Sequence, residues 1–246
     1  MKIHILTLFP EMLEQIFSHS ILKRAIEQKL IHTMCHNIRN FADNRHKSVD
    51  DYPYGGGSGM VMTPQPIFDA HACVMDQIDP DKSPRTIYCT PKGRVFNQEM
   101  ATELAKEDTL IFLCGHYEGI DQRVIDELVT DEISIGDYVL TGGELPAAVI
   151  VDAVARMIPG VLKEDQNFEE ESHYDGLLEY PHYTRPPVFR EAEVPDVLLS
   201  GHHDKIRKWR RRQAIRETWL KRPDLIRRAD LNDEELKWLD TLKQRS

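Results

Sequence analysis

The chain has 246 residues, of which 41% are hydrophobic, and its formal net charge at pH 7 is −10. This length suffices for one large domain or two smaller ones with a buried core. No run of 18 apolar residues occurs, so we expect no membrane span, and the first residues do not resemble a signal peptide. The negative charge argues against non-specific binding of nucleic acid, so a polyanionic partner would need a local basic surface.

The four cysteines are Cys35, Cys73, Cys89 and Cys114. Their wide spacing matches neither a zinc-binding pattern nor a disulfide framework, and most of their neighbours are apolar. We therefore expect reduced, buried thiols in a cytoplasmic protein.

The first two thirds of the chain alternates between two hydrophobic patterns. Strand-like runs occur at 2–9, 31–38, 85–90, 109–114 and 129–135. Helical patterns lie at 11–28, 64–77, 97–107, 118–128 and 144–158. The last has Ala147, Val151, Val154 and Ile158 at the spacing of a buried helical face. This alternation predicts an α/β fold in which helices cover both faces of a parallel sheet.

The last third of the chain lacks the alternation of strand and helix patterns. Residues 161–190 lack clear periodicity and are rich in acidic residues, Pro, Tyr and His, so we expect a linker there. Helical patterns follow, which gives predicted domains at 1–160 and 191–246. Asn232 and Glu235 have the spacing of a helix cap with its reciprocal partner. Trp209 and Trp219 are predicted to anchor the core of this small helical domain rather than to serve as platforms for base stacking.

Positive charge is concentrated in residues 201–230. Eleven Lys and Arg residues, among them Lys205, Arg207 and Lys208, face only four acidic residues in this segment, a balance of +7. The preceding stretch is acidic. Such segregation is typical of a polyanion-binding surface, although a solvated helix would also carry many charges.

Two loops with paired glycines follow apolar strands. The first reads Cys-Gly-His-Tyr-Glu-Gly-Ile-Asp over 114–121, and the second reads Ser-Ile-Gly-Asp-Tyr-Val-Leu-Thr-Gly-Gly-Glu-Leu-Pro over 134–146. Glycine has no Cβ, so such loops let a small ligand contact backbone amides. Ligands of parallel sheets bind beyond the carboxyl ends of the strands, so we expect both loops to border one site.

Two further segments carry weaker signals. Residues 50–60 are dense in glycine but lack the lysine and hydroxyl of a P-loop, so by themselves they read as a flexible surface turn. Residues 88–94 (Tyr-Cys-Thr-Pro-Lys-Gly-Arg) read as a strand followed by a turn.

Together these four segments resemble the TrmD family of bacterial tRNA (guanine-N1)-methyltransferases, which belongs to the SPOUT class. The resemblance extends from Leu8-Phe9-Pro10 to Arg222-Pro223-Asp224-Leu225. It implies a SPOUT domain at 1–160 with a deep trefoil knot around 85–145, an acidic linker, and a helical tRNA-binding domain. It also implies a homodimer with active sites at the subunit interface.

The resemblance further implies that three loops wrap the methyl donor, S-adenosylmethionine. The residues that correspond to the donor-binding positions are Thr90, Pro91, Gly115, Tyr117, Glu118, Gly119, Ser134, Ile135, Gly136, Asp137, Tyr138, Val139, Leu140, Gly142 and Gly143. The carboxylate of Glu118 would face the cationic end of the donor. His116 stands where many family members have arginine.

The family's catalytic positions fall on Glu171 and Arg156. Glu171 would be the base that removes the N1 proton of guanine, with Glu169 and Glu170 as adjacent candidates, and Arg156 would stabilise negative charge on the guanine oxygen. From the residues alone, the acidic run could simply be solvated, and Arg156 could pair with Asp152 one helical turn earlier. Asp50 would lie near the target guanine.

The implied reaction is methylation of ring nitrogen 1 of the guanosine immediately 3′ of the anticodon, aided by a divalent cation such as Mg²⁺. The sequence itself contains no metal-binding motif. Three other functions stay open from the residues: a knotted methyltransferase with another RNA target, a non-catalytic RNA-binding module, and a small-molecule methyltransferase of the open fold.

Overall fold

The computed structural model describes residues 1–162, 172–173, 176–227 and 229–243. The chain divides into two compact units, Met1–Lys163 and Glu164–Ser246. Among the described residues, no helix is both long enough and apolar enough to cross a membrane.

The first unit is built on a parallel sheet. Its strands are β1 (Lys2–Thr7), β2 (His32–Asn37), β3 (Asp50–Asp51), β4 (Val61–Met62), β5 (Arg85–Val95), β6 (Thr109–Cys114) and β7 (Asp131–Ser134). Its helices are α1 (Pro10–Phe17), α2 (Ser20–Glu27), α3 (Pro64–Met75), α4 (Gln98–Leu104), α5 (Gln122–Leu128) and α6 (Glu144–Arg156). Five strands pair in the order β2-β1-β6-β5-β7, all parallel. The five predicted strands and the parallel sheet are confirmed.

Helices cover both faces of this sheet because its central strand is apolar on both sides. Every residue of β6 is buried. Phe112 packs into a cluster with Leu13 of α1 and Val151 of α6, whereas its neighbour Leu113 packs on the opposite face, where α3 and α5 lie. Continuous burial of this kind is typical of parallel sheets.

The predicted apolar stripe of α6 is also confirmed. Ala147, Val151 and Val154 are fully buried. The helix ends at Arg156, two residues before the predicted end, and Ile158 beyond it still packs against the same core.

The single helix predicted over 11–28 is wrong, because the chain breaks there into α1 and α2. The hydroxyl of Ser18 and the ring of His19 both contact the carbonyl oxygen of Gln15, each at 2.8 Å. Side chains that bind nearby carbonyls compete with helix continuation. Ser20 then takes a left-handed φ of 55°, which starts α2 in a new direction.

The glycine-rich segment forms the end of a short hairpin that the sequence did not predict. Strands β3 and β4 pair antiparallel, with Asp50 opposite Met62 and Asp51 opposite Val61. The residues between them include four glycines with positive φ.

The second unit is small and mainly helical. It contains β8 (Val188–Phe189), β9 (Ala192–Glu193), α7 (Asp196–Leu199), α8 (His203–Lys221), α9 (Pro223–Ile226) and α10 (Asp233–Lys243). The hairpin of β8 and β9 was not predicted. The predicted helix cap is confirmed, since Asn232 Oδ1 accepts from the Glu235 amide and Glu235 Oε2 accepts from the Asn232 amide, both at 3.0 Å.

The core of this unit forms around Ile215 and Leu239, and Trp219 packs against it as predicted. Trp209 does not belong to this cluster, so its prediction as a core anchor is wrong. Trp209 lies half-buried against Tyr183 instead.

All four cysteines are free. Cys89 and Cys114 are buried, and burial raises the pKa of the Cys89 thiol to about 12. Cys35 is half-buried, whereas Cys73 is exposed on α3, so the prediction of buried thiols fails for Cys73. Its apolar neighbours belong to the opposite side of an amphipathic helix.

Candidate functional site

A cavity of about 440 Å³ opens at the carboxyl ends of β5, β6 and β7. Three segments form its walls: the first loop (90–93), the second loop (115–120) and the third loop (135–143). This is the position at which parallel α/β sheets bind ligands, and the volume is in the range of small-molecule sites.

The first loop is an outward excursion within strand β5. Cys89 and Arg94 both pair with Ile133 of β7, so the four residues between them leave the sheet and return to the same place. A Cβ on Gly93 would lie 2.4 Å from the backbone of Glu132, so only glycine fits where the chain returns. Thr90 and Pro91, at the start of this excursion, line the cavity.

The second loop is held by the glycine-rich hairpin. The amide of Glu118 donates to the carbonyl of Met60, and the amide of Met62 donates to the carbonyl of Gly119, both at 3.0 Å. A Cβ on Gly59 would lie 2.5 Å from Oε1 of Glu118. The hairpin that carries Asp50 therefore adjoins the wall that carries Glu118.

The third loop closes directly onto the second. The amide of Gly143 donates to the carbonyl of Gly115 at 3.0 Å. A Cβ on Gly143 would lie 2.7 Å from Cα of Cys114, so a side chain here would push the two loops apart. The third loop then leads into α6, and Pro146 in the first turn of that helix also lines the cavity.

The structure brings nearly all of the predicted donor-binding residues to this one cavity. Those that line it are Thr90, Pro91, Gly115, Tyr117, Glu118, Gly119, Ser134, Ile135, Gly136, Tyr138, Val139, Leu140, Gly142 and Gly143. Asp137 is not among the lining residues.

Several lining residues were not predicted, and Tyr88 is the most prominent of them. Its side chain is buried between the first and second loops, and burial raises the pKa of its phenol. A Cβ on Gly115 would lie 3.0 Å from its hydroxyl oxygen. Lys92 and Glu132 also line the cavity. An aromatic residue just before the turn at Thr90 was the only sequence signal for Tyr88.

A buried carboxylate lies behind the second and third loops. Glu144 is 2% exposed, and its oxygens lie 2.9 and 2.8 Å from Nε2 of His116. The hydroxyl of Thr7 donates to the same carboxylate at 2.5 Å. His116 therefore fastens the second loop to α6. Among the described residues, no group of three or more His, Cys, Asp or Glu side chains is arranged to hold a metal ion.

Of the two predicted catalytic residues, only Arg156 lies in the part of the chain that the structure describes. Arg156 is half-buried in the last turn of α6, twelve residues after Glu144 and therefore about 18 Å along the helix axis. It is not among the residues that line the cavity. Glu171 lies outside the described residues, as do Glu169 and Glu170.

The basic segment of the second unit is largely neutralised within that unit. Arg211 and Arg212 pair with Glu235 and Glu234 of α10, at 2.9 and 3.4 Å, and Arg207 pairs with Asp204 at 3.0 Å. The predicted balance of +7 was counted over residues 201–230, which do not include the acidic first turn of α10. Lys205 and Lys208 are exposed and form no ion pair with the described residues.

The fold and site define an α/β protein with a small-ligand cavity built from three backbone loops at the edge of a parallel sheet. A sequence profile of the family described as tRNA (Guanine-1)-methyltransferase TrmD matches residues 1–228. The chain belongs to this family and is an enzyme of the methyltransferase class.

Relatives of high identity span essentially the whole chain. A tRNA (guanine-N(1)-)-methyltransferase of Alkaliphilus metalliredigens (strain QYMF) is 62% identical over 245 residues, covering 100% of this chain and 99% of the relative. Proteins of the same name from Alkaliphilus oremlandii (strain OhILAs) and Clostridioides difficile (strain 630) are 57% and 55% identical. These two alignments cover 100% and 94% of this chain, and 100% and 99% of the respective relatives.

Proposed function

We propose that this protein methylates ring nitrogen 1 of the guanosine immediately 3′ of the anticodon in tRNA, with S-adenosylmethionine as the methyl donor. The observation that carries the proposal is the meeting of three loops in one cavity, in a chain of the tRNA (guanine-1)-methyltransferase family. A tRNA substrate implies that the enzyme works in the cytoplasm.

The cavity fits the donor in shape and charge. Residues of the first and third loops line the cavity on two sides, so their backbone groups can hold the adenine ring. The carboxylate of Glu118 is exposed on the second loop, where it suits the cationic sulfonium and ammonium groups. The bound donor supplies an electrophilic methyl group, and the loops hold it in place for in-line attack.

The guanine must lose its N1 proton for that nitrogen to become a good nucleophile. We assign this step to the carboxylate of Glu171, acting as a general base. General acid–base catalysis typically raises the reaction rate about 10²–10⁴-fold. As the proton leaves, negative charge develops on the guanine oxygen, and the guanidinium of Arg156 stabilises it. Asp50, on the hairpin that adjoins Glu118, holds the target base.

Arg156 lies too far along α6 to serve the cavity of its own chain, which supports an active site shared between two copies. Helices α1 and α6 contact each other. Their exposed side chains include Phe9, Met12 and Ile16 on the α1 side and Leu145 and Val149 on α6, which are 37–50% exposed. Contiguous exposed apolar residues of this kind mark interaction sites.

We therefore propose a homodimer through this apolar face. A two-fold axis that pairs α6 antiparallel with its copy would bring Arg156 of the partner subunit near the first turn of α6. The guanine would then bind between the cavity of one chain and the arginine of the other.

Three further features belong to the same proposal. Residues around 85–145 form the trefoil knot of the family, in line with the sheet order and the bond from Gly143 to Gly115. The second unit binds the tRNA backbone through Lys205 and Lys208. Because the described residues arrange no group of three or more possible metal ligands, we assign any Mg²⁺ to groups of the substrates.

Mapping of the methylated nucleoside tests this function. Unmodified tRNA transcript incubated with the enzyme and donor should gain 1-methylguanosine at the position 3′ of the anticodon. A different methylated nucleoside would indicate another RNA target. Absence of heat on titration with S-adenosylmethionine would favour a non-catalytic RNA-binding protein.

The base is tested with a matched pair of variants. Glu171→Ala should lower single-turnover methylation at least about 100-fold while donor binding stays unchanged. Glu170→Ala should retain near-normal activity. The reverse result would move the role to Glu170, and two active variants would exclude both residues as the base.

A further inference from the structure

The second unit carries an aromatic pair that its core does not explain. The rings of Tyr183 and Trp209 lie 6.4 Å apart between centroids, with their planes at 56°. Trp209 is half-buried but lies outside the cluster formed by Ile215, Leu239 and their neighbours. Tyr183 is 49% exposed. The Tyr183 ring is therefore accessible to a ligand, with the ring of Trp209 beside it.

Further planar groups adjoin this pair. The rings of Tyr180 and His182 lie 4.7 Å apart between centroids. The guanidinium carbon of Arg210, the residue after Trp209, lies 4.8 Å from the centre of the Tyr180 ring. The irregular segment 180–183 thus lays several flat side chains along the amino-terminal half of α8.

The cations that remain open on α8 belong to the same region. Lys205 lies one helical turn before both Lys208 and Trp209, so it shares a face with each of them. Both lysines are exposed and have no ion-pair partner among the described residues. Arg211 and Arg212, further along α8, instead pair with acidic residues of α10. Available positive charge therefore concentrates beside the aromatic pair.

We propose that Tyr183 and Trp209 form a stacking site for an unpaired nucleobase of RNA, with Lys205 and Lys208 on the adjacent phosphates. Aromatic rings combined with a basic groove are the usual means of holding single-stranded nucleic acid. Stacking tolerates any base, so the site would fix the position of a loop nucleotide without reading its identity. This inference rests on the proposed RNA substrate and adds to it an anchoring point on the second unit.

Fluorescence anisotropy with the full-length protein tests the site. The probe is a short fluorescein-labelled single-stranded RNA, compared with an abasic RNA of the same length. Trp209→Leu and Tyr183→Leu should each weaken binding of the base-bearing RNA by about 5- to 150-fold. Trp209→Phe keeps a ring and should stay within about 3-fold of the unaltered protein. Phe189→Leu, an exposed aromatic of the same unit, is the matched control and should change nothing.

Salt dependence separates stacking from phosphate contacts. The slope of log Kd against log salt should be unaltered in Trp209→Leu and Tyr183→Leu. In Lys208→Gln it should fall by about 0.7, the value for one phosphate contact on a single strand. The abasic RNA should bind the unaltered protein as weakly as the base-bearing RNA binds Trp209→Leu.

Three results would overturn the proposal. One is normal RNA binding by folded Trp209→Leu and Tyr183→Leu proteins, and another is equal affinity for abasic and base-bearing RNA. Circular dichroism shows whether Trp209→Leu folds. If it does not fold, Tyr183→Leu alone tests the site, and normal RNA binding by Tyr183→Leu is the third result that would overturn the proposal. Because this assay uses no donor, a protein that binds RNA through these rings but forms no 1-methylguanosine would contradict the proposed function and leave this inference standing.

Discussion

Nε2 of His116 lies between the two carboxylate oxygens of Glu144, at 2.9 and 2.8 Å. Thr7 donates to the same buried carboxylate, and the amide of Phe9 donates to the Thr7 hydroxyl at 2.9 Å. One side chain thereby joins the end of β1, the second loop and the start of α6. The shape of the cavity depends on this buried network.

Glu144→Ala should therefore destabilise the protein strongly. Removal of the carboxylate leaves the side chains of His116 and Thr7 without their buried partner, which typically costs about 1–3 kcal/mol for each group. For a domain of this size that corresponds to a fall in Tm of roughly 5 °C or more. Thermal unfolding followed by circular dichroism measures it.

Glu118→Gln is the matched control for that variant, since Glu118 lies on the same loop system but is exposed. It should leave Tm within about 2 °C of the unaltered protein and weaken donor binding instead. An unchanged Tm for Glu144→Ala would contradict the structural role of the network.

Gly143→Ala should separate the second and third loops. Its Cβ would lie 2.7 Å from Cα of Cys114 and 3.0 Å from the amide nitrogen of Gly115. Both are backbone atoms, so relieving the clash requires the two loops to shift. We expect donor affinity to fall at least about 10-fold in calorimetric titration. Gly56→Ala adds a methyl group that meets no atom within 4 Å, and its left-handed φ of 77° confines the strain to the hairpin turn, so donor affinity should stay nearly unchanged. Equal donor affinities for the two variants would refute the backbone contact.

Stability should decline in mild acid because of His4. This side chain is 1% exposed, and its Nδ1 lies 3.0 Å from Nε2 of His36. Burial, the neighbouring His36 and Lys2 together lower the pKa of His4 from 6.5 to about 4. The unfolded chain therefore takes up a proton first, so this stabilisation is complete above about pH 6.5 and is lost as the pH falls towards 4.

Urea unfolding at about pH 7.5 and about pH 5 measures the effect. The loss from His4 should be at most about 2 kcal/mol at the lower pH, from 1.36 kcal/mol per pKa unit. His4→Gln should reduce the pH dependence of the free energy of unfolding. Part of that dependence should remain, because burial also lowers the pKa of His71. A pH dependence that is the same in the variant would exclude His4 as its source.

The sequence predicted the sheet and most helices because these elements bury long periodic runs. The continuous apolar run of β6 and the stripe of Ala147, Val151 and Val154 leave few alternatives to a covered parallel sheet. The three loops were also predicted to border one site, since carboxyl ends of parallel strands meet at one edge. Their glycines were informative because backbone approaches backbone there.

The features that were missed depend on contacts between distant residues. Strands β3 and β4 have two residues each, too few for a periodic pattern. The link between His116 and Glu144 spans 28 positions and has no local signal. The ion pairs of Arg211 and Arg212 depend on the return of α10 along α8, so a count of charge along the chain overstated the open positive surface.

Asn232→Ala should destabilise the second unit by about 1 kcal/mol, because it removes the side-chain oxygen that accepts from the Glu235 amide at 3.0 Å. Asn232→Asp keeps that acceptor and should retain stability within about 0.5 kcal/mol. Hydrogen exchange of α10 amides in the full chain measures both variants. Equal protection in all three proteins would show that the cap contributes nothing.

A crystal structure of the protein with S-adenosylhomocysteine, the donor after loss of its methyl group, tests the central claim most directly. The adenosine should lie among Thr90, Gly115 and Gly136, with the amino-acid end near Glu118. A ligand bound outside this cavity, or in contact with only one of the three loops, would contradict the assignment.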